Sequence, residues 1–369
     1  MYTGNLTYIE TYYPTLLSVL DNYYVKHTDR NTSLLLREEG YGDYGFIPRD
    51  GSAAYYSALY VLALRRAADL ADFLEKGRDA IRWRHRASAV SADFLKILWD
   101  PVVGAFLDRR CDNGPGCSAH AQDGNSLAIL AGIANASLAV SALQYLYNAN
   151  GRPYGNAFYD AAGSGLREGF SERVYPFISY FEISARFRAA DAGASALDQI
   201  RRTYGWMSAR DPGATFWEGI GAGGSRYEAG FTSLAHGWST GVTPLLTTYV
   251  LGAAPTAPGF AKWDVRPVPG DLAWTRGEVP TPRGPLSVSW ERRRDDAESG
   301  DGGAGGIEIT VRAPEGTRGK IHVPAAKGDG DGAKALLDGA PGKGKVAEDG
   351  YIVFEVLGGE EHVVGYPQS

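Results

Sequence analysis

"SAAYYSALYVLALRRAADLADFLEKG" (residues 52–77) is the stretch whose reading decides the fold. Apolar residues recur in it at spacings of three and four, which places them on one face of a helix turning every 3.6 residues. It stops at Gly77, and a second amphipathic run follows at once, "AIRWRHRASAVSADFLKILWD" (80–100). The pattern repeats upstream in "TYIETYYPTLLSVLDNYYVKH" (7–27) and downstream in runs over 121–133, 136–150, 177–193, 196–209 and 232–252. Glycine, aspartate or proline punctuates the ends, as helix stops and starts require. Short turns alternate with longer loops rich in glycine and aromatic residues. Helix pairs with loaded loops at one end predict an α/α toroid, and these runs are too few to close an (α/α)6 ring. The expectation for 1–252 is a partial (α/α)6 toroid in a chain that lacks part of the ring.

Past Gly252 the composition changes. "AAPTAPGFAKWDVRPVPGDLAWTRGEVPTPRGPLSVSWERR" (253–293) is punctuated by proline and alternates with period two in "LSVSWE". "IEITVRAP", "GKIHVPAA" and "GYIVFEVLGGEEHVVGY" continue the alternation. "SGDGGAGG" (299–306) and "KGDGDGAKALLDGAPGKGK" (327–345) read as long hairpin loops. Residues 253–369 are therefore expected to form an antiparallel β-sandwich, so the chain is mainly α with a β domain.

Composition bounds the function. The net charge of −6 disfavours a nucleic-acid polyanion as partner. No apolar run is long enough to span a membrane. The 22 tyrosines outnumber the 13 phenylalanines, with 8 tryptophans besides; rings with a polar edge suit both an ordinary core and a carbohydrate cleft. The N-terminus lacks the basic start and apolar core of a signal peptide. Three Asn-x-Ser/Thr sequons (Asn5, Asn31, Asn135) and one close cysteine pair (Cys111, Cys117) nevertheless point to a secreted protein. His120 with the two thiols leaves a metal-ligand set incomplete, so neither metal nor cofactor is implied.

"GATFWEGIG" (213–221) holds one carboxylate, Glu218, among aromatic residues and glycines. An isolated glutamate is ordinarily a solvated loop residue. Here Trp217 adjoins it, and glycines let the backbone approach a ligand closely. Aromatic faces of this kind stack on the apolar faces of sugar rings.

Five blocks taken together resemble the fungal-type α-L-rhamnosidases of the six-hairpin glycosidase superfamily. They are "YTGNLTYIETYYPTLLSVLD", "GYGDYGFIPRDG", "GATFWEGIG", "LAHGWSTGVTPLLTTYVLG" and "PTPRGPLSVSWE". The resemblance covers nearly the whole chain and corresponds to the later part of the catalytic toroid plus the C-terminal β-sandwich. It implies inverting hydrolysis of terminal α-L-rhamnosyl residues in rhamnose-containing glycosides or polysaccharides. In that scheme a general acid and a general base stand roughly 6.5–9.5 Å apart, with water between them. The glutamate of T-x-W-E is the base, which is Glu218 here. Trp217, His236 and Trp238 carry over as substrate-binding residues. Asp43 and Tyr44 fall where the family has Gly-Asp-Trp, with tyrosine in place of the usual tryptophan platform. Tyr180 is a further candidate that core packing explains equally well.

The family's acid lies in a block resembling R-D-E-x-x-G-W, which does not occur in this sequence; "RRRDDAESG" (292–300) reads as a charged hairpin tip. The resemblance thus implies an upstream part that is not in this chain, or a crippled catalyst. The apolar N-terminal helix carrying Tyr8, Ile9, Tyr12, Tyr13, Leu16 and Leu17 is then expected to lack some natural neighbours. Two alternatives stay open at this level: a carbohydrate-binding remnant without catalysis, and a toroidal glycosidase of different sugar specificity.

Overall fold

The computed structural model describes residues 1–36, 49, 51–110, 117–160, 171–189, 193–211, 215–292, 306–325, 334–342 and 344–366. They form two compact units. One comprises 11–191 with 195–241, and the other comprises 242–369 with 1–10 and 192–194.

The runs of periodic sequence become helices. α1 (Leu6–Ser18) continues through a π-type turn into Tyr24–Lys26. There follow α2 (Ala54–Phe73), α3 (Gly77–Leu98), α4 (Gln122–Leu130), α5 (Ala136–Asn150), α6 (Pro176–Arg188) and α7 (Ala194–Ile200), which extends to Arg210. Their burial alternates. α3 buries Ala80, Trp83, Ala87, Val90, Phe94 and Leu98, a narrow stripe of a half-exposed helix. α2 buries residues around most of its circumference, and the first seven residues of α4 are all buried. α2, α4 and α6 pack against one another in an inner row. Gly124 permits the closest approach, since a Cβ there would lie 2.7 Å from that of Ala54.

The inner row is unusually polar, so its buried groups must find partners or forfeit the solvation they lose. Glu182 of α6 is fully buried. It accepts hydrogen bonds from Gln122 Nε2 (2.6 Å), Asn156 Nδ2 (2.7 Å), Arg186 Nε (2.8 Å) and Gln199 Nε2 (2.9 Å). A second buried knot joins Arg49 to Asp123 and Asp108, at 2.7 and 2.8 Å, with the Tyr159 hydroxyl donating to Asp108. Burial raises the Asp108 pKa from its ordinary value, and Arg49 opposes that rise. His120, considered above as a metal ligand, is buried with Nδ1 2.7 Å from Asp160 and Nε2 3.4 Å from Asp100.

Two of the three sequons have a local structural role. Asn135 caps α5 by accepting from Leu138 N at 3.0 Å, and Asn5 accepts from Tyr8 N at 3.2 Å in the first turn of α1. Cys117 is in a disulfide; Cys111 lies outside the described residues. On α1, Tyr13 is buried and donates to Asp79 at 2.8 Å, Leu16 is partly buried, and Tyr8 and Tyr12 are exposed.

The expected helix over 232–252 is a correction. Residues 232–236 are irregular, Gly237–Gly241 is a 3-10 turn, and α8 runs only from Val242, through Val242–Leu245 and Leu246–Leu251. Gly237 and Gly241 weaken helix propensity there. The backbone of this segment is also committed elsewhere, with His236 N donating to Phe216 O and Ser233 O accepting from Glu218 N. Gly252 ends α8 in the left-handed conformation at φ 86°, where a side chain would collide with Pro267.

The second unit holds two sheets. Its strands are β1 (Ala253–Pro255), β2 (Lys262–Val265), β3 (Trp274–Thr281), β4 (Gly284–Arg292), β5 (Ile307–Arg312) and β6 (Arg318–Pro324). β7 (Leu336–Leu337), β8 (Ala340–Pro341), β9 (Lys345–Val346), β10 (Tyr351–Leu357) and β11 (Glu361–Gly365) complete it. The strand orders are β8-β7-β11-β5-β4-β3 and β9-β10-β6-β2-β1. All pairs are antiparallel except β2 with β6. Each sheet buries alternate residues, such as Leu286, Val288 and Trp290 in one and Ile352, Phe354 and Val356 in the other. The second glycine-rich break is not a plain loop, because it contains the β7–β8 hairpin. Asp338 and Gly339 make its turn with positive φ, as a two-residue hairpin turn demands. The charged tip expected near 294 lies outside the described residues, which end at Arg292 on that side.

Glu182 generates a stability prediction. Glu182→Ala leaves Arg186 buried without its carboxylate, and the unfolding free energy in urea is expected to fall by about 3–5 kcal/mol. A loss below about 1 kcal/mol would show that the knot does not hold the inner row together.

Candidate active site

Residues 216–220 run extended, pinned on both sides. Ile220 exchanges backbone hydrogen bonds with Val174 at 2.8 and 2.9 Å. On the other side, Glu218 N donates to Ser233 O and His236 N to Phe216 O, each at 2.9 Å. An extended chain points successive side chains to opposite faces. Trp217 therefore goes inward and Glu218 outward.

Trp217 is 2% exposed. Its Nε1 donates to Asp211 Oδ2 at 3.3 Å, and its carbonyl accepts from Ser239 Oγ at 2.8 Å. This corrects the expectation of a sugar platform, since a ring with both faces covered has none to offer a ligand. It anchors the turn from below. Gly219 has a similar supporting role, because the Tyr227 ring lies 3.1 Å from where its Cβ would be.

The Glu218 side chain is 28% exposed. Oε2 accepts from the Thr232 hydroxyl at 2.6 Å and from Ser233 N at 3.2 Å, with His236 Nδ1 3.9 Å away. Among the described residues, no hydrogen bond is made to Oε1. One oxygen is thus fixed and the other is open to accept a proton.

His236 leans on Trp238, with ring centroids 4.5 Å apart, and Trp238 stacks on Phe177 of α6 at 5.1 Å and 17°. Tyr180, one turn further along α6, packs its ring against Gly241, where a Cβ would lie 2.7 Å away. Glu218, His236, Trp238 and Tyr180 are thereby gathered around the 232–241 segment, with Tyr180 facing the backbone of Gly241 in a packing role. Asp43 and Tyr44 lie outside the described residues. Thr232 and Phe177 are additions to the site. Thr232 lay within a run read as helix, which hid its hydroxyl from a pattern-based reading. Phe177 sits in an apolar run where any aromatic reads as core.

The chain is similar to known proteins in two ways. Residues 252–335 match the family model of the bacterial α-L-rhamnosidase C-terminal domain. No curated protein matches the chain by sequence. Among solved structures, a GH78 family rhamnosidase of Bacillus sp. GL1 is 27% identical with a TM-score of 0.62, over 79% of this chain and 29% of that one. An α-L-rhamnosidase from Dictyoglumus thermophilum matches 98% of this chain and 38% of its own, at 15% identity and TM-score 0.69. One from Streptomyces avermitilis, solved with L-rhamnose, matches 98% and 31%, at 19% identity and TM-score 0.61. The chain spans between 29% and 38% of the length of these structures. A helical unit followed by two sheets is the fold this chain shares with them, and residues 252–335 are similar to the C-terminal domain of bacterial α-L-rhamnosidases.

Proposed function

We propose that this chain is the base-bearing part of a glycoside hydrolase that removes terminal α-L-rhamnosyl groups from glycosides or polysaccharides, with inversion at the anomeric carbon. The helical unit is read as an arc of an α/α toroid whose loops carry the site. The observation that carries the proposal is the asymmetry of Glu218. Thr232 and Ser233 hold Oε2, so the carboxylate cannot turn, and Oε1 is left to take a proton from water. Positioning of that kind keeps a general base in line for attack without reorganisation.

The stacked Trp238 and Phe177 supply an apolar wall beside the base, and His236 adds ring N–H capacity for a sugar hydroxyl. Such a pairing of wall and polar group is what a deoxy sugar with one apolar edge requires. Water activated by Glu218 attacks from one face while the leaving oxygen is protonated from the other. Aryl leaving groups need that protonation least, so an aryl rhamnoside is the substrate on which this chain's own contribution is read.

On 4-nitrophenyl α-L-rhamnopyranoside, Glu218→Gln is expected to lower kcat by roughly 10²–10⁴-fold with KM little changed. Equal rates for the two proteins would remove the base assignment. Thr232→Val frees Oε2, and the loss of one hydrogen bond to a charged group predicts a kcat lower by about 10–100-fold, restored by Thr232→Ser. Proton NMR of the first product formed reports the stereochemistry: inversion releases β-L-rhamnose, and initial release of the α anomer would overturn it.

A further inference from the structure

The five-stranded sheet has an outward face that the proposed hydrolysis does not use. Because side chains alternate, Lys262 and Asp264 of β2, Arg318 and Lys320 of β6, and Glu355 of β10 share that face. The register sets Arg318 beside Lys262 and places Lys320 beside both Asp264 and Glu355. Two adjoining concavities cross the face, of about 460 and 530 Å³. They share Lys320 and Glu355 in their linings, and the second reaches Lys345 on β9.

Four cations therefore line this groove against two carboxylates. Lys320 stands 3.9 Å from Glu355, and both are well exposed, so the pair is weak and Lys320 is available to an incoming anion. Asp264 has His322 Nε2 3.3 Å away without a hydrogen bond between them, so it remains one of the two carboxylates of the groove. Lys262, Arg318 and Lys345 form no ion pair among the described residues. Lys262 and Arg318 are partners in the parallel β2–β6 register, which sets two like charges side by side on an exposed face. An anion bridging the two relieves their repulsion.

We propose that this face binds the carboxylates of an acidic polysaccharide, a chain carrying uronate units. That the ligand is a sugar chain rests on the rhamnosidase reading above; that it is anionic rests on the groove. Lys262 and Arg318 sit on neighbouring strands about 4.8 Å apart, close enough for one carboxylate to meet both, whereas Glu355 of β10 stands between them and Lys345 of β9. A sugar chain is preferred to a nucleic acid on the rhamnosidase reading, since the net charge of −6 opposes both polyanions alike. An enzyme trimming rhamnosyl groups from such a polymer gains effective concentration from a second contact on the same chain.

The test is calorimetric titration of the full chain with a short polygalacturonate, its fully methyl-esterified form and single-stranded DNA. Polygalacturonate is expected to bind and to weaken with added salt, and the neutral ester is expected not to bind. The double variant Lys262→Glu/Arg318→Glu should weaken binding at least about tenfold, and the charge-neutral Lys262→Gln/Arg318→Gln by less. Equal affinity of wild type and both variants, equal binding of the ester, or tighter binding of DNA would overturn the proposal. Rhamnose binding and aryl rhamnoside hydrolysis, measured on the same proteins, separate the two readings. If both are absent while the charge-dependent binding persists, the hydrolase reading fails and the anion-binding groove stands.

Discussion

A single buried carboxylate organises the helical unit. Glu182 receives donors from α4, from α6 itself, from α7 and from the turn at Asn156. A buried charge is tolerated only when its lone pairs are satisfied, so each donor must come to it in a set direction. That requirement fixes the rotation of α6 about its own axis. With α6 so turned, Phe177 meets Trp238 and Tyr180 meets Gly241. The packing of the inner row and the shape of the candidate site are consequences of one hydrogen-bonding problem.

The Glu218 turn shows the same economy at smaller scale. Trp217 is buried so that its neighbour in an extended chain is presented outward, and Asp211 and Ser239 satisfy its polar atoms. The glycine at 241 admits Tyr180 at a distance that no side chain would allow, and the glycine at 219 lets Tyr227 come closer than most side chains would. In the β domain the polar work lies on the surface instead. There Lys262 and Arg318 are set side by side by strand register, while the inward face is apolar.

Much of this was legible in the linear sequence. Helix periodicity, the change of composition at Gly252 and the lone carboxylate of "GATFWEGIG" are local signals, and each corresponds to an element of the structure. Local signals also misled. The stretch 232–241 has helical spacing, yet its backbone donors and acceptors are claimed by residues 216–218, a competition that no window of sequence displays. Likewise Trp217 carries the same composition signal whether its ring lines a cleft or supports one.

The sequence by itself determined most of the elements and their order, because propensity and periodicity belong to each residue and its near neighbours. Tertiary structure alone decided which oxygen of Glu218 is held, which aromatic rings are exposed and which buried polar groups meet. It also decided that Lys262 stands beside Arg318, residues more than fifty positions apart in the chain. Those outcomes depend on distances between segments remote in sequence, and such distances exist only once the chain has packed.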